Sequence, residues 1–249
     1  MAHIGAGTFA QNLGGLSIAA RYQERNAVAG QAAYEPFVKL LYTDLNDLIN
    51  HMQANPQRRH ELGEDSLTDE IIMGLSVAGY DASHDTSAGG HVDVTVKLGP
   101  HSWIGEAKKD QKFSDGYRQL VTRYRPASGN FEHNHGGMLL YCTTQTDLLT
   151  LRQRWKDKFK EDFDEVYKPL DIVDCDTSRY AFVSSHKHPV SGSDWIVRHM
   201  LVGLQFKPED ASARSSAKRR ATPKTPRKKK SAAAAATLAV TSGEVTKAS

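Results

Sequence analysis

Asp93, Glu106 and Lys108 are the residues whose types and spacing point most directly to chemistry. They lie in residues 89–108, GGHVDVTVKLGPHSWIGEAK. There Val92, Val94, Val96 and Leu98 alternate with His91, Asp93, Thr95 and Lys97, and Trp103, Gly105 and Ala107 alternate with Ser102, Ile104, Glu106 and Lys108. A period of two predicts two half-buried strands. The tetrapeptide Leu98-Gly99-Pro100-His101 reads as a short hairpin loop between them. With Lys97 facing Ser102, the antiparallel register places Asp93 opposite Glu106, and Lys108 shares their face two residues on.

Like charges opposed across a hairpin cost about 0.2–1 kcal/mol, so this pairing asks for a compensating partner. A hard divalent cation fits, because carboxylate oxygens are its preferred ligands and its charge offsets their repulsion. Lys108 beside it is placed to stabilise a water turning into hydroxide, or the negative charge developing on a phosphate under attack. The chemistry so assembled is phosphodiester cleavage. A solvated hairpin face carrying an Asp, a Glu and a Lys would show the same local pattern.

The elements that must hold these residues follow from apolar periodicity. Residues 1–29 are rich in Gly and Ala with little periodicity and read as a loose N-terminal arm or an irregular strand. Ala33, Phe37, Leu40, Leu41, Leu45, Leu48, Ile49 and Met52 predict a helix over 31–53. Leu67, Ile71, Ile72, Leu75 and Ala78 predict a second, starting near Glu64 and stopping at Gly79. A strand is expected over 80–84, followed by a turn over 85–90. A helix carrying Tyr117, Leu120, Val121 and Tyr124 is expected to be capped by Ser114 or Asp115 and to end before Pro126. Residues 136–141, GGMLLY, read as a fully buried central strand. An amphipathic helix over 147–163 and apolar segments at 172–173, 180–183 and 195–206 complete the domain, in an order the pattern does not assign.

Asp93, followed thirteen residues later by Glu106-Ala107-Lys108 within apolar strands, resembles the signature of the PD-(D/E)xK nuclease superfamily, with Val92 where many members carry Pro. The resemblance spans residues 64–142, and the predicted order of helix, hairpin, helix and strand is the order of that superfamily's core. It implies an α/β restriction-endonuclease-like fold, a central mixed β-sheet flanked by helices. It further implies that Asp93 and Glu106 hold one or two Mg²⁺ ions, with Mn²⁺ as a substitute, and that the Ala107 carbonyl is a further ligand. Lys108 would help activate the water. A Glu on the preceding helix often reaches such a site, and Glu64 fits that place, with Glu61 and Glu70 as rivals because the first turn of any helix favours acids. Residues 117–124 resemble the Gln-to-Tyr helix of RecB-type members at a slightly longer spacing. That likeness makes Gln119 the residue that orients the water or the Lys108 ammonium. Arg118 and Arg123 on the same helix read as phosphate contacts or a solvated face.

The whole chain of 249 residues carries a net charge of +3. From Ala211 onward ten Lys or Arg face one acid, Glu244, a surplus of nine, so residues 1–210 carry −6. Three regions are expected: an arm over 1–29, a nuclease-like domain over 30–210 with a helical N-terminal extension, and a disordered tail over 211–249. Lys218, Arg219, Arg220, Arg227, Lys228, Lys229 and Lys230 make that tail a polyanion-binding segment without base specificity, resembling linker-histone tails. A nuclear localisation signal or a solubilising tail has the same composition.

Cys142 and Cys175 give neither a disulfide framework nor a zinc spacing, which suits a reducing cytosol, and the basic tail suits a nucleoid setting there. No apolar run is long enough to span a bilayer, so no membrane partner is expected. His133 and His135 sit in a polar Gly/Asn loop, and His186 and His188 read as an exposed turn, so neither pair is assigned to a metal. The expected partner is DNA, with RNA as the competing substrate. Endonuclease action is favoured over exonuclease action, in a phage-defence or restriction role by family association. A regulatory or defence-system partner, or a homodimer able to cut both strands, fits such a role. A non-catalytic nucleic-acid-binding protein is the alternative function.

Overall fold

The computed structural model describes residues 18–31, 33–84, 86–87, 91–110, 112–121, 134–144, 147–161, 168–187 and 192–208. Residues 1–206 form one unit and 207–249 another. The first unit opens with three helices, α1 (Ile18–Ala29), α2 (Tyr34–Gln53) and α3 (Glu64–Ala78). The apolar stripe of α2 is buried as its spacing predicts, from Phe37 to Met52. α3 begins at Glu64 and stops where Gly79 turns left-handed at φ 102°, a conformation that favours glycine.

Over 18–29 the expected loose arm is a helix packed on α2 and α3. Charge rather than an apolar stripe anchors it. Arg25 Nη2 lies 2.7 Å from Asp44 Oδ1 of α2, Arg21 Nη1 lies 3.2 Å from the same oxygen, and Tyr80 donates to Asp44 Oδ2 at 2.7 Å. A helix anchored by buried ion pairs leaves no periodic hydrophobic signal, which explains the missed element.

The strands follow as β1 (Asp81–Ser83), β2 (Thr86–Ser87), β3 (His91–Val92), β4 (Val94–Leu98) and β5 (His101–Lys109). Then come α4 (Phe113–Gln119), β6 (His135–Cys142), α5 (Leu148–Glu161), β7 (Asp171–Asp174), β8 (Ala181–Lys187) and β9 (Asp194–Gly203). Seven strands form one mixed sheet in the order β1-β4-β5-β6-β9-β8-β7. β5, β6 and β9 run parallel at its centre, and the remaining neighbours pair antiparallel.

The β4–β5 hairpin has the predicted register, with Lys97 opposite Ser102 and Leu98 opposite His101. Gly99 enters its turn at φ 60°, as primed hairpin turns require, and a Cβ there would overlap the Ala29 carbonyl at the end of α1. The strands are not half-buried, however. Val94, Val96, Leu98, Trp103 and Ala107 pack in one core with residues of α2 and α3, while Ile104 joins Met138, Leu140, Phe113 and Tyr117 in a second core on the other face. Helices on both faces make three layers, so both sides of the central strands are dry.

α4 starts at Phe113 after Lys112 with no side-chain cap, so neither Ser114 nor Asp115 caps it. A π-helical turn continues it through Leu120 and Val121, and the rest of the expected helix, with Arg123 and Tyr124, lies outside the described residues. β6 is buried along its whole length, as a central strand should be. His135 begins it rather than sitting in a loop, and burial pushes its pKa down to about 4. His186 is not in an exposed turn but in the second core, against the Tyr117 hydroxyl and Ser184. His133 and His188 lie outside the described residues.

Asp44→Ala removes the shared anion and strands the buried Arg25 guanidinium. Equilibrium urea unfolding is expected to show a loss of about 3–5 kcal/mol.

Candidate active site

Four side chains from three places in the chain meet at the end of β5. Glu64 is the first residue of α3, Asp93 sits in the break between β3 and β4, and Glu106 and Lys108 project from β5. The Lys108 ammonium lies 2.6 Å from Glu106 Oε1, 3.3 Å from Asp93 Oδ2 and 3.3 Å from Glu64 Oε1, and it donates to the Ala107 carbonyl at 2.7 Å. The rival acids go elsewhere. Glu70 accepts two hydrogen bonds from Arg59 Nε, at 3.0 and 2.8 Å, and the Glu61 side chain is 88% exposed beside His60.

Backbone geometry explains how the carboxylates are held. Asp93 Oδ2 accepts the Ala107 amide at 2.9 Å. The strand breaks at Asp93, and Val92 and Val94 fall in opposite cores. Glu64 Oε2 accepts the Lys109 amide at 2.6 Å, and Lys109 Nζ donates to the Leu62 carbonyl at 2.8 Å, tying the start of α3 to the end of β5.

Glu106 is 1% exposed. Burial, reinforced by Asp93, pushes its pKa up to about 7 against the pull of Lys108. Burial also works against the Lys108 charge, but Glu106, Asp93 and Glu64 outweigh it and raise its pKa, so the ammonium stays charged at neutral pH. Lys108 is therefore a fixed positive charge here, not a neutral base. Three carboxylates around one ammonium leave two negative charges uncompensated when all are ionised. Among the described residues Glu106 Oε2 is buried with no hydrogen-bond partner. Among the described residues no group of three or more His, Cys, Asp or Glu is arranged to hold a metal ion by itself.

Two supports have no signal in the apolar pattern. Gly116 of α4 lies directly on β5: a Cβ there would overlap Lys108 Cγ and lie 3.1 Å from Met138 Cε and 3.3 Å from Glu106 Cγ. Asp110, at φ 57°, ends β5 and accepts at 2.8 Å from both the amide and the hydroxyl of Thr143, and at 3.2 Å from the Thr144 amide. It ties the end of β5 to the end of β6 beside the site. A non-glycine residue at positive φ is the one local clue, and it shows only in three dimensions.

Gln119 is not brought into this cluster. Among the described residues no hydrogen bond joins it to the other four, and none partners its Oε1, buried at the end of α4. Arg118 is exposed. The tail residues Lys218, Arg219, Arg220, Arg227, Lys228, Lys229 and Lys230 lie outside the described residues.

Comparison with known protein families, curated proteins and solved structures finds no match to this chain.

The geometry sets two expectations. Because folding raises the Glu106 pKa from 4.5 to about 7, the folded protein keeps a proton that the unfolded chain releases as pH rises between those values. Stability is therefore lost over that interval, on the order of 3 kcal/mol, and Glu106→Gln should abolish the loss. Denaturation of both proteins at pH 4 to 8 in chelator measures it. Gly116→Ala forces a methyl into Lys108 and should cost about 1–3 kcal/mol in the same assay.

Proposed function

We propose that this protein is a metal-dependent nuclease that hydrolyses phosphodiester bonds of DNA, with the restriction-endonuclease-like fold of the PD-(D/E)xK superfamily. The observation that carries the reading is the convergence of Glu64, Asp93 and Glu106 on the Lys108 ammonium, each within 3.3 Å. Burying such a cluster costs stability, and function offers a reason to keep it. The order α3, β4–β5 hairpin, α4, β6 supports the fold assignment, as does the mixed sheet with β5 and β6 parallel at its centre.

The donor set suits Mg²⁺, with Mn²⁺ as a substitute. It is all oxygen, it includes the unpartnered Glu106 Oε2, and its excess negative charge matches a divalent cation. Asp93, Glu106 and the Ala107 carbonyl would hold the ion. Bound there, it supplies Lewis-acid polarisation of a phosphoryl oxygen and eases departure of the leaving oxygen.

The remaining work belongs to the chain. Lys108 presents a permanent positive charge that orients an attacking water and stabilises negative charge gathering on phosphorus oxygens. Glu64 fixes that ammonium and the end of β5 through two separate oxygens. Gly116 lets α4 close over Glu106 and Lys108 and keep water from their stems. The basic tail adds sequence-independent affinity for nucleic acid. Attachment to a defence system, a protein that restrains the activity, and a dimer that cuts both strands are extensions of the same proposal. No helix among the described residues is long and apolar enough to cross a membrane.

The test is supercoiled plasmid incubated with wild type or Lys108→Ala, in Mg²⁺ or chelator, followed on a gel, with matched DNA and RNA strands in parallel. Wild type should cut DNA only with the metal, and Lys108→Ala should be slower by about 100-fold or more. Equal cutting by both proteins overturns the site assignment, and retardation without cutting favours a binding protein. Removing residues 211–249 should weaken plasmid binding and flatten its salt dependence in a titration from 50 to 200 mM salt.

A further inference from the structure

The Lys108 ammonium is bonded to the same oxygens that would hold the divalent ion. Its Nζ donates to the Ala107 carbonyl at 2.7 Å and lies 2.6 Å from Glu106 Oε1 and 3.3 Å from Asp93 Oδ2. Glu64 Oε1 adds a fourth oxygen at 3.3 Å. Mg²⁺ takes its oxygens at about 2.0–2.1 Å in near-octahedral geometry, so the present spacing is fitted to a nitrogen. An ammonium and a divalent ion on one set of oxygens compete for the same lone pairs and repel each other as like charges.

The lysine fills this place incompletely. One positive charge meets three carboxylates, and among the described residues Glu106 Oε2 has no partner in its buried setting. The surroundings let the ammonium go without dismantling the rest. Asp93 Oδ2 keeps the Ala107 amide at 2.9 Å, and Glu64 Oε2 keeps the Lys109 amide at 2.6 Å, so both carboxylates have a second anchor. Gly116 of α4 packs on Lys108 Cγ and holds the inner stem, which leaves the outer carbons of a flexible side chain to move. Asp93 and Glu64 are partly exposed while Glu106 is buried, so the way out passes the first two.

We propose that Lys108 gates the metal site: its ammonium occupies the metal-binding oxygens and leaves them when a divalent cation binds, turning toward the open side where a phosphate would lie. The inference rests on the metal-dependent reading above and adds an order to it, metal first and lysine second. Without the ion the ammonium stays locked among the carboxylates and cannot meet substrate. With the ion it is released to the place where its charge acts on the reaction. Apparent metal affinity is lowered by the fraction of molecules in which the lysine is in place.

The full-length chain is acetylated with a limiting amount of an N-hydroxysuccinimide ester, in chelator and in Mn²⁺ at one pH, and labelling of each lysine is followed by peptide mass spectrometry. Lys108 should label about fivefold or more faster with Mn²⁺, while Lys39 and Lys97, exposed on α2 and β4, keep their rates. Electron paramagnetic resonance of free Mn²⁺ gives the affinity: Lys108→Met should bind the ion about tenfold or more tightly than wild type, and Glu106→Gln more weakly. A lysine that only repels the ion through space would raise the affinity of Lys108→Met but leave the labelling of wild type unchanged. Unchanged or slower labelling in protein that binds Mn²⁺ therefore overturns the gate and leaves the metal site standing, as does a Lys108→Met affinity no higher than wild type. No Mn²⁺ binding by either protein overturns the metal-dependent reading and the gate with it. Should Lys108→Met fail to fold, the labelling of wild type decides alone.

Discussion

One ammonium among three carboxylates governs the architecture of this protein. Lys108 is held within 3.3 Å of Glu64, Asp93 and Glu106, and none of these groups could sit as deep as it does alone. Each carboxylate arrives by a different route: a helix start, a broken strand and an intact strand. Their meeting fixes where α3 begins and where β4 starts relative to β5. The imbalance of charge is partly relieved by a proton on Glu106 near neutrality. Glu106 and Lys108 are buried while Asp93 and Glu64 stay partly exposed, and packing alone would favour apolar residues at the two buried positions.

The scaffold keeps that cluster from relaxing. β5 is central, paired on one side with β4 and on the other with β6, so the side chains of Glu106 and Lys108 inherit the rigidity of a sheet rather than of a loop. α4 presses its glycine onto them, and Asp110 secures the strand's end at a small conformational expense. These supports are short-range and polar or steric, and they sit where an apolar count sees only a connection.

The hairpin register was legible because Gly99-Pro100 confines the turn, but the ladder stops at Val94 opposite Gly105, so Asp93 is not paired opposite Glu106 and reaches the Ala107 amide and Lys108 from the strand break. Helices α2 and α3 and the buried strand β6 were legible because their apolar residues keep one period throughout. Spacing alone could not choose Glu64 over Glu61 and Glu70, since all three lie near one helix start; the choice depends on which side chain faces the end of β5. α1 was missed because an ion pair with Asp44 holds it, and charged residues on a helix look the same in sequence whether buried or solvated. The order of β7, β8 and β9 stayed unreadable, as apolar runs carry no record of their neighbours. His186 looked exposed because its partners, Tyr117 and Ser184, come together only once the sheet is built.

Asp93 also links two properties that usually evolve apart. The carboxylate that faces Lys108 is the same group that takes the Ala107 amide and separates β3 from β4. A descendant without the proposed chemistry would still need an acceptor at this position to keep Val92 and Val94 in their separate cores. The aspartate can therefore outlive the proposed activity in a lineage, and its persistence in a relative is by itself a record of folding, not of catalysis.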